Sequence, residues 1–595
     1  MKVMNKKSID LKNNTYIGIL FLLFIITYLQ EFIFRGNIEE TSLWILSYVG
    51  LFLANYVINI LLYLIIFMIS GSSKVAFYVH APLIILLSSI NHYKLTCKGD
   101  VLLFSDYKLI WEAVSVVKNY KLEVYLPIII AIGILGLLFF FISRTNTKSL
   151  EVRYRVIGSI MSGIGLVAAI VILRGNISWL EGEQSGYIFA DRYKVRGILV
   201  GMIKEIPDTI QQPTEYSKEK IYSILESMNI EDDQQADKVL PNIIMIMNET
   251  YYDIEKFEEL EFNQEIMPNL RKYQEEFARG QLITPSYGGL TCQVEYEVLT
   301  GYPSSNCEGR IGYLELINKP TKSIVSALKD NGYVTYAIHP YAKQFFNRSR
   351  VYEALQFDDI SFIENMVDLE YEGQYVSDRY VYKQLIDKYK TRDRKKPFFA
   401  HIVTMQNHGG YNYRYDKYGV KEKKKFNKSN DGVLETYANL LKESDNSLKY
   451  LIDYLSDIKD PTIVIFYGDH APSFAMSYKE AFDDSKNLEE LLCQYSTPLL
   501  IWDNIGLPKK EYGYINAYKL GGEVLRLVGN SKDYYFKCME NSSMMSVNGM
   551  FIKEQQGLIS RANDEEYTEE MNELYLLQYD RLFGEDYGSN YFDVK

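Results

Sequence analysis

Cysteine is scarce in this chain, with five in 595 residues. The number is odd and no CxxC spacing occurs, so there is no zinc ribbon and no evident disulfide framework. Cys97, Cys292, Cys307, Cys493 and Cys538 therefore read as bystanders. Histidine is nearly as rare, six in all, and four of these lie beyond residue 300. A basic stripe is missing too. The formal net charge is −12, which argues against nucleic acid as a partner. Long apolar runs are absent after Arg174.

That last absence matters because the first third of the chain is crowded with such runs. They fall at 15–34, 47–69, 75–91, 124–143 and 156–173, each close to the length a helix needs to cross about 30 Å of hydrocarbon. The first exceeds a signal-peptide core and no small-x-small cleavage signal follows it, so it reads as a retained span. Lys2, Lys6, Lys7 and Lys12 precede the first run, and Arg144, Lys148, Arg153 and Arg155 precede the fifth. The positive-inside rule puts both groups on the cytoplasmic side. Five spans then place everything after residue 174 on the extracellular side of the cell membrane. The loop 92–123 carries Leu102, Leu103, Ile110, Trp111, Val114 and Val117 at mixed helical spacing. It fits a short helix lying on the membrane surface and equally an ordinary helix packed on the bundle.

Beyond the spans, 175–237 is mixed and polar and reads as a connector with a helix at 217–228. From 238 to 530 the pattern becomes that of an α/β domain. Ile243 to Met247, GYVTYAIHP (332–340), KPFFAHIVTMQNHGG (396–410) and PTIVIFYGDHAP (461–472) are buried-strand runs ending in polar residues. Helical segments at 323–331 and 437–456 lie between them. Such alternation implies a mostly parallel central sheet, whose chemistry collects at the carboxyl ends of the strands. Residues 531–595 are an acidic, tyrosine-rich extension with no chemistry assigned.

Glu249, His339, His408, Asp469 and His470 are the residues at those strand ends, whereas His401 lies within a run. GDH at 468–470 sets a carboxylate beside an imidazole, and with Glu249 it offers oxygen and nitrogen ligands to one divalent cation. Taken singly, GDH is a polar turn and Glu249 a capping carboxylate. Thr291, in SYGGLTCQVEYE (286–297), has two readings as well. It could cap a helix by accepting a backbone N–H. As a nucleophile it would need a cation and a helix N-terminus to lower its hydroxyl pKa. Spacing leaves both readings open.

NETYYD, GGLTCQVEYEVLTG, HPYAKQFFNRSRVYEALQFDD, MQNHGGY and YGDHAP, in this order behind five spans, resemble the lipoteichoic acid synthase family of phosphoglycerol transferases, whose extracellular domain is similar to sulfatases and alkaline phosphatases. The resemblance implies that Glu249, Thr291, Asp469 and His470 bind Mn²⁺ or Mg²⁺, with Thr291 the nucleophile. It further implies that His339, Arg348 and His408 surround the phosphoglycerol group. The donor would be phosphatidylglycerol, and the acceptor a polyglycerophosphate chain or a glycolipid anchor. Where the family pattern has an acidic residue and a tryptophan, this chain has Tyr341 and Phe346, which alters the headgroup contacts while Phe346 keeps an aromatic surface. A guanidinium suits phosphate because it donates two parallel hydrogen bonds.

Three alternatives accompany this reading. A phosphoethanolamine transferase of the same fold would use the same metal residues. Sulfatase chemistry on Cys292 is disfavoured, since QVE follows it without the proline and arginine that formylglycine maturation requires. A catalytically silent regulator of envelope assembly would not need intact metal ligands.

Overall fold

A computed structural model of the chain describes residues 6–98, 101–111, 114, 124–144, 150–175, 189–206, 210–228, 240–307, 310–424, 432–478, 488–529, 533–543, 545–547, 550–555, 558–561 and 564–591. They fall into two compact units, one drawn from Met1–Tyr107 and Leu122–Ile206, the other from Lys108–Lys121 and Pro207–Lys595.

In the first unit five helices are long and apolar enough to cross a membrane: Ile17–Arg35, Val49–Ser70, Ser73–Thr96, Leu126–Ser143 and Val152–Arg174. Gly71, with φ +71°, ends the second of these, and its N–H donates to the Phe67 carbonyl. Ile160, Ile164, Val167 and Val171 recur along one face of the last helix and are exposed, as expected where hydrocarbon rather than water is the solvent. The helix of the third run continues to Lys98, so the start of 92–123 is helical rather than loop. A 3-10 turn follows at Phe104–Leu109, and Val117 lies outside the described residues.

Polar groups are not absent from this unit. Glu31 and Arg35 pair one helical turn apart, with side chains 0 % and 2 % exposed. The Glu31 carboxylate also accepts from the Gln30 amide at 3.0 Å and from the Ile198 N–H at 3.0 Å. Asn55 Oδ1 accepts the next two N–H groups, of Leu199 and Val200, at 3.0 and 3.2 Å. Bundle side chains thus cap the helix Ile198–Lys204, whose preceding Gly197 supplies none. Free N–H groups at a helix start have to find acceptors somewhere.

The second unit is built on a sheet of eight strands. In chain order they are β1 (Asn242–Asn248), β2 (Ala278–Ile283), β3 (Val334–His339), β4 (Asp359–Phe362), β7 (Phe398–Val403), β8 (Thr462–Gly468), β9 (Ser496–Asp503) and β10 (Glu511–Asn516); a hairpin of β5 (Tyr371–Glu372) and β6 (Tyr375–Val376) stands apart. Their spatial order is β10-β2-β9-β8-β1-β7-β3-β4. All neighbours pair in parallel except β9, which is antiparallel to both β8 and β2. Every residue of β1, β7, β8 and β9 is buried, as befits a sheet covered on both faces. Alternation along β1 sends Ile243, Met245 and Met247 into one core cluster and Ile244 and Ile246 into the other. The fold class expected from the sequence is the one observed.

The acidic tail is more than an appendage. Phe536, Leu574 and Leu577 join the same core cluster as Val294 and Val298, and Arg581, with its side chain fully buried, pairs with Asp533. The helix Lys218–Ser227, capped by Ser217, contributes Ile221, Ile224 and Leu225 to that cluster.

Candidate active site

Parallel β1, β8, β7 and β3 lie side by side, so the loops leaving their carboxyl ends converge. Glu249 follows β1, Asp469 and His470 follow β8, and one ligand atom from each lies within 4.8 Å of the others, all three buried. Close approach of the strand ends is enforced at Gly468, where a Cβ would stand 2.0 Å from the Tyr251 carbonyl oxygen. His470 Nε2 is 3.3 Å from Asp469 Oδ2 and 3.8 Å from Glu249 Oε1. Its Nδ1 lies 3.0 Å from the Ala471 carbonyl; a proton there makes Nε2 the lone-pair nitrogen turned towards the carboxylates. Asp469 Oδ1 is held by the N–H groups of Thr250 and His470 at 2.7 and 2.8 Å. Thr250 also donates its hydroxyl to Glu249 Oε1 at 2.8 Å.

Thr291 completes the cluster. It opens the helix Thr291–Thr300, preceded by Leu290 in the left-handed region. Its hydroxyl is 2.8 Å from Asp469 Oδ2 and 3.5 Å from Glu249 Oε2. Leu290 holds the N-cap position and Thr291 is the first helical residue, with its hydroxyl turned to the two carboxylates. Gly288 and Gly289, with φ +66° and +155°, let the chain turn into the helix. Gly288 also donates its N–H to the Ala471 carbonyl at 3.1 Å, tying this turn to the loop after β8.

Burial and the neighbouring Asp469 carboxylate push the Glu249 pKa well above the usual carboxylate range. Two buried carboxylates facing one imidazole nitrogen and one hydroxyl are poorly matched to each other and well matched to a divalent cation. The residues present therefore fit a divalent cation, with Glu249, Asp469 and His470 as candidate ligands and the Thr291 hydroxyl beside them.

The remaining candidates form a second group. Arg348 is 1 % exposed. Its Nη1 lies 2.9 Å from His339 Nε2, while Nε and Nη2 donate to Glu295 Oε2 at 2.8 and 2.6 Å. His339 Nδ1 lies 3.1 Å from the Val403 carbonyl. Burial, then the adjacent guanidinium, push the His339 pKa well below its ordinary value, so this imidazole is neutral. His408 is half-buried, and its Nδ1 lies 3.1 Å from the Tyr375 hydroxyl. Tyr341 packs edge-on between His339 and Tyr375, at ring-centroid distances of 6.3 and 6.2 Å. Phe346 is buried against Phe345 and lies 5.3 Å from the Arg348 guanidinium carbon.

Sequence reasoning missed Glu295, Thr250 and Tyr375. Glu295 had one local signal, a charge one turn after Thr291, and Glu297 two residues on blurs it. Non-glycine residues with positive φ flank the candidates closely: Thr250 beside Glu249, Leu290 beside Thr291, and Phe346 and Asn347 before Arg348. Such conformations cost of order 1–3 kcal/mol each and cluster at functional sites.

Residues 241–530, the stretch that forms this α/β domain, match the protein family described as sulfatase. The chain is 29% identical over 365 residues to a putative cyclic beta-1,2-glucan modification protein of Rhizobium meliloti, covering 59% of this chain and 56% of that one. It thus spans about half the length of that relative. Similarity to lipoteichoic acid synthase 1 of Bacillus subtilis is 24% over 200 residues, 32% of this chain and 29% of that one. In structure it resembles the Streptococcus pyogenes phosphoglycerol transferase GacH, solved with sn-glycerol-1-phosphate, at TM-score 0.53 and 24% identity over 64% of this chain and 97% of that one. That likeness establishes the fold.

Proposed function

We propose that this protein is a membrane-anchored phospho-headgroup transferase acting on the extracellular side, and that it moves glycerol phosphate from phosphatidylglycerol to a hydroxyl of a polyglycerophosphate chain or glycolipid anchor. The observation that carries this reading is the Thr291 hydroxyl, 2.8 Å from Asp469 at a buried helix start beside Glu249 and His470. Mn²⁺ or Mg²⁺ held by Glu249, Thr291, Asp469 and His470 would favour the alkoxide form of Thr291 and neutralise phosphoryl charge.

Thr291 Oγ attacks the phosphorus of the donor. The bond from phosphorus to the diacylglycerol oxygen breaks, that oxygen takes up a proton, and glycerophosphate remains on Thr291. The acceptor hydroxyl then attacks the same phosphorus, releasing Thr291. His408, half-buried beside Tyr375, moves protons to the leaving oxygen and from the attacking one. Arg348 stabilises the phosphoryl oxygens. His339, neutral and hydrogen-bonded on both ring nitrogens to Arg348 and the Val403 carbonyl, is held in place instead of shuttling protons. Phe346 and Tyr341 shape the headgroup side.

A second acceptor class, a glucan hydroxyl, is favoured by the name of the Rhizobium relative and by Tyr341 standing where the lipoteichoic acid synthase pattern has an acid. The test is diacylglycerol release from labelled phosphatidylglycerol by the full chain with Mn²⁺. Release that drops at least a thousandfold in Thr291→Ala supports the proposal. Equal release by both proteins, or turnover of phosphatidylethanolamine alone, refutes it.

A further inference from the structure

We propose that Glu295 is a positioning residue of this site: it aims the Arg348 guanidinium and, through it, the His339 imidazole, from the same helix that presents Thr291. The inference rests on the transferase reading for its substrate and on geometry for its substance.

Glu295 stands four residues after Thr291 in the helix Thr291–Thr300, so the two side chains share a helix face. It is completely buried and both its oxygens are engaged. Oε2 accepts from Arg348 Nε and Nη2 at 2.8 and 2.6 Å. Oε1 accepts from the Tyr352 hydroxyl at 2.7 Å and the Tyr313 hydroxyl at 3.4 Å, with His401 Nε2 at 3.6 Å. Arg348 carries the restraint onward through Nη1 to His339 Nε2, and His339 is anchored to the Val403 carbonyl at the end of β7. Three of the five guanidinium N–H groups are thereby engaged, and the direction of the rest is set by the nucleophile's own helix.

Arg348 opens the short helix Arg348–Ala354. Phe346 and Asn347, the two residues before it, both have φ +52°, so the backbone there reaches Arg348 through a sharp left-handed turn. A planar fork on a single carboxylate fixes orientation in a way a lone ammonium cannot. Were the pair only core packing, a neutral isostere would leave phosphate recognition intact.

The experiment uses the full chain in phosphatidylglycerol liposomes with Mn²⁺ and compares wild type, Glu295→Gln, Arg348→Lys and the double variant. Mn²⁺ affinity and thermal midpoint are measured alongside. Expected are a fall in kcat of at least thirtyfold in Glu295→Gln, Mn²⁺ affinity unchanged within threefold, and a further loss of no more than threefold in the double variant, because both changes remove one interaction. Multiplying effects in the double variant overturn the inference, as does an unchanged kcat in Glu295→Gln. Should Glu295→Gln fail to fold, Tyr352→Phe removes only a donor to Oε1; a three- to tenfold fall in kcat is expected, and no change overturns the inference. If wild type leaves phosphatidylglycerol untouched, the transferase reading fails by itself. Glu295 is then judged on binding of inorganic phosphate to the Mn²⁺-loaded protein: tenfold weaker binding in Glu295→Gln supports it, while equal binding or none in wild type refutes it.

Discussion

Each unit buries one glutamate against one arginine, and the two pairs are made in opposite ways. Glu31 and Arg35 are neighbours on one helix, so any helix through that segment brings them together. Glu295 and Arg348 are 53 residues apart and meet only once β3 and the helix Thr291–Thr300 are in place. The local pair caps backbone: Glu31 accepts the Ile198 N–H and Arg35 stacks 4.0 Å from the Trp44 ring. The long-range pair sits beside candidate catalytic groups. The lesson is that burial of an ion pair says little about its role, and what its free edges touch says more.

Metal removal should separate the two regions most sharply. Chelation of the purified full chain is expected to abolish diacylglycerol release by at least a hundredfold, with recovery on adding Mn²⁺, while the thermal midpoint of the membrane bundle stays put. Next in size are the matched substitutions Arg348→Met and Arg35→Met. Each leaves a buried carboxylate uncompensated, a loss of about 3–5 kcal/mol in stability. Turnover per folded molecule should fall at least thirtyfold for Arg348→Met and less than threefold for Arg35→Met. Equal turnover losses would break the comparison. Smaller still, Glu31→Gln keeps an acceptor for the Ile198 N–H, and protease cleavage within 189–206 should rise only a few-fold, less than in Glu31→Ala.

The smallest effect contrasts two glutamates on a single helix. Burial would raise both, but Arg348 and His401 outweigh it at Glu295 and hold that pKa at about 2. Glu297 has the Ser304 N–H and hydroxyl at 2.8 and 2.5 Å and the Tyr518 backbone as partners, and burial outweighs them and pushes it to about 7. A carboxyl whose pKa is higher in the fold than in the unfolded chain binds a proton on folding. Its contribution is most favourable below about pH 4.5 and is lost as pH rises through 7. Glu297→Gln should therefore flatten the fall in thermal midpoint between pH 4.5 and 7, and an unflattened slope would show that Glu297 does not titrate in this window.

Much of this arrangement was legible in the chain because chemistry followed strands. β1, β3, β7 and β8 are apolar runs that end in Glu249, His339, the His408 loop and Asp469–His470. The other four strands carried weaker signals. ARGQLI and EYGYIN are polar and alternate, DISF is short, and STPLLIWD contains Pro498, a residue that argues for an edge. That strand is nevertheless central, lying between β8 and β2. Thr291 was ambiguous locally because its deciding partner, Asp469, is 178 residues away. Tyr352 and Glu295, 57 residues apart, gave no sequence signal of their contact. The tail was read as an extension because its acidic residues mask the leucines that it buries.

Gly468 has a consequence for how such a site can change. With a carbonyl oxygen 2.0 Å from where its Cβ would be, the position admits no side chain at all, whatever its polarity. The candidate ligands Asp469 and His470 therefore cannot slide by one residue along their strand. Variation at this site is confined to swapping donors in fixed seats, and a laboratory search for new metal preferences should diversify 469 and 470 while leaving 468 untouched.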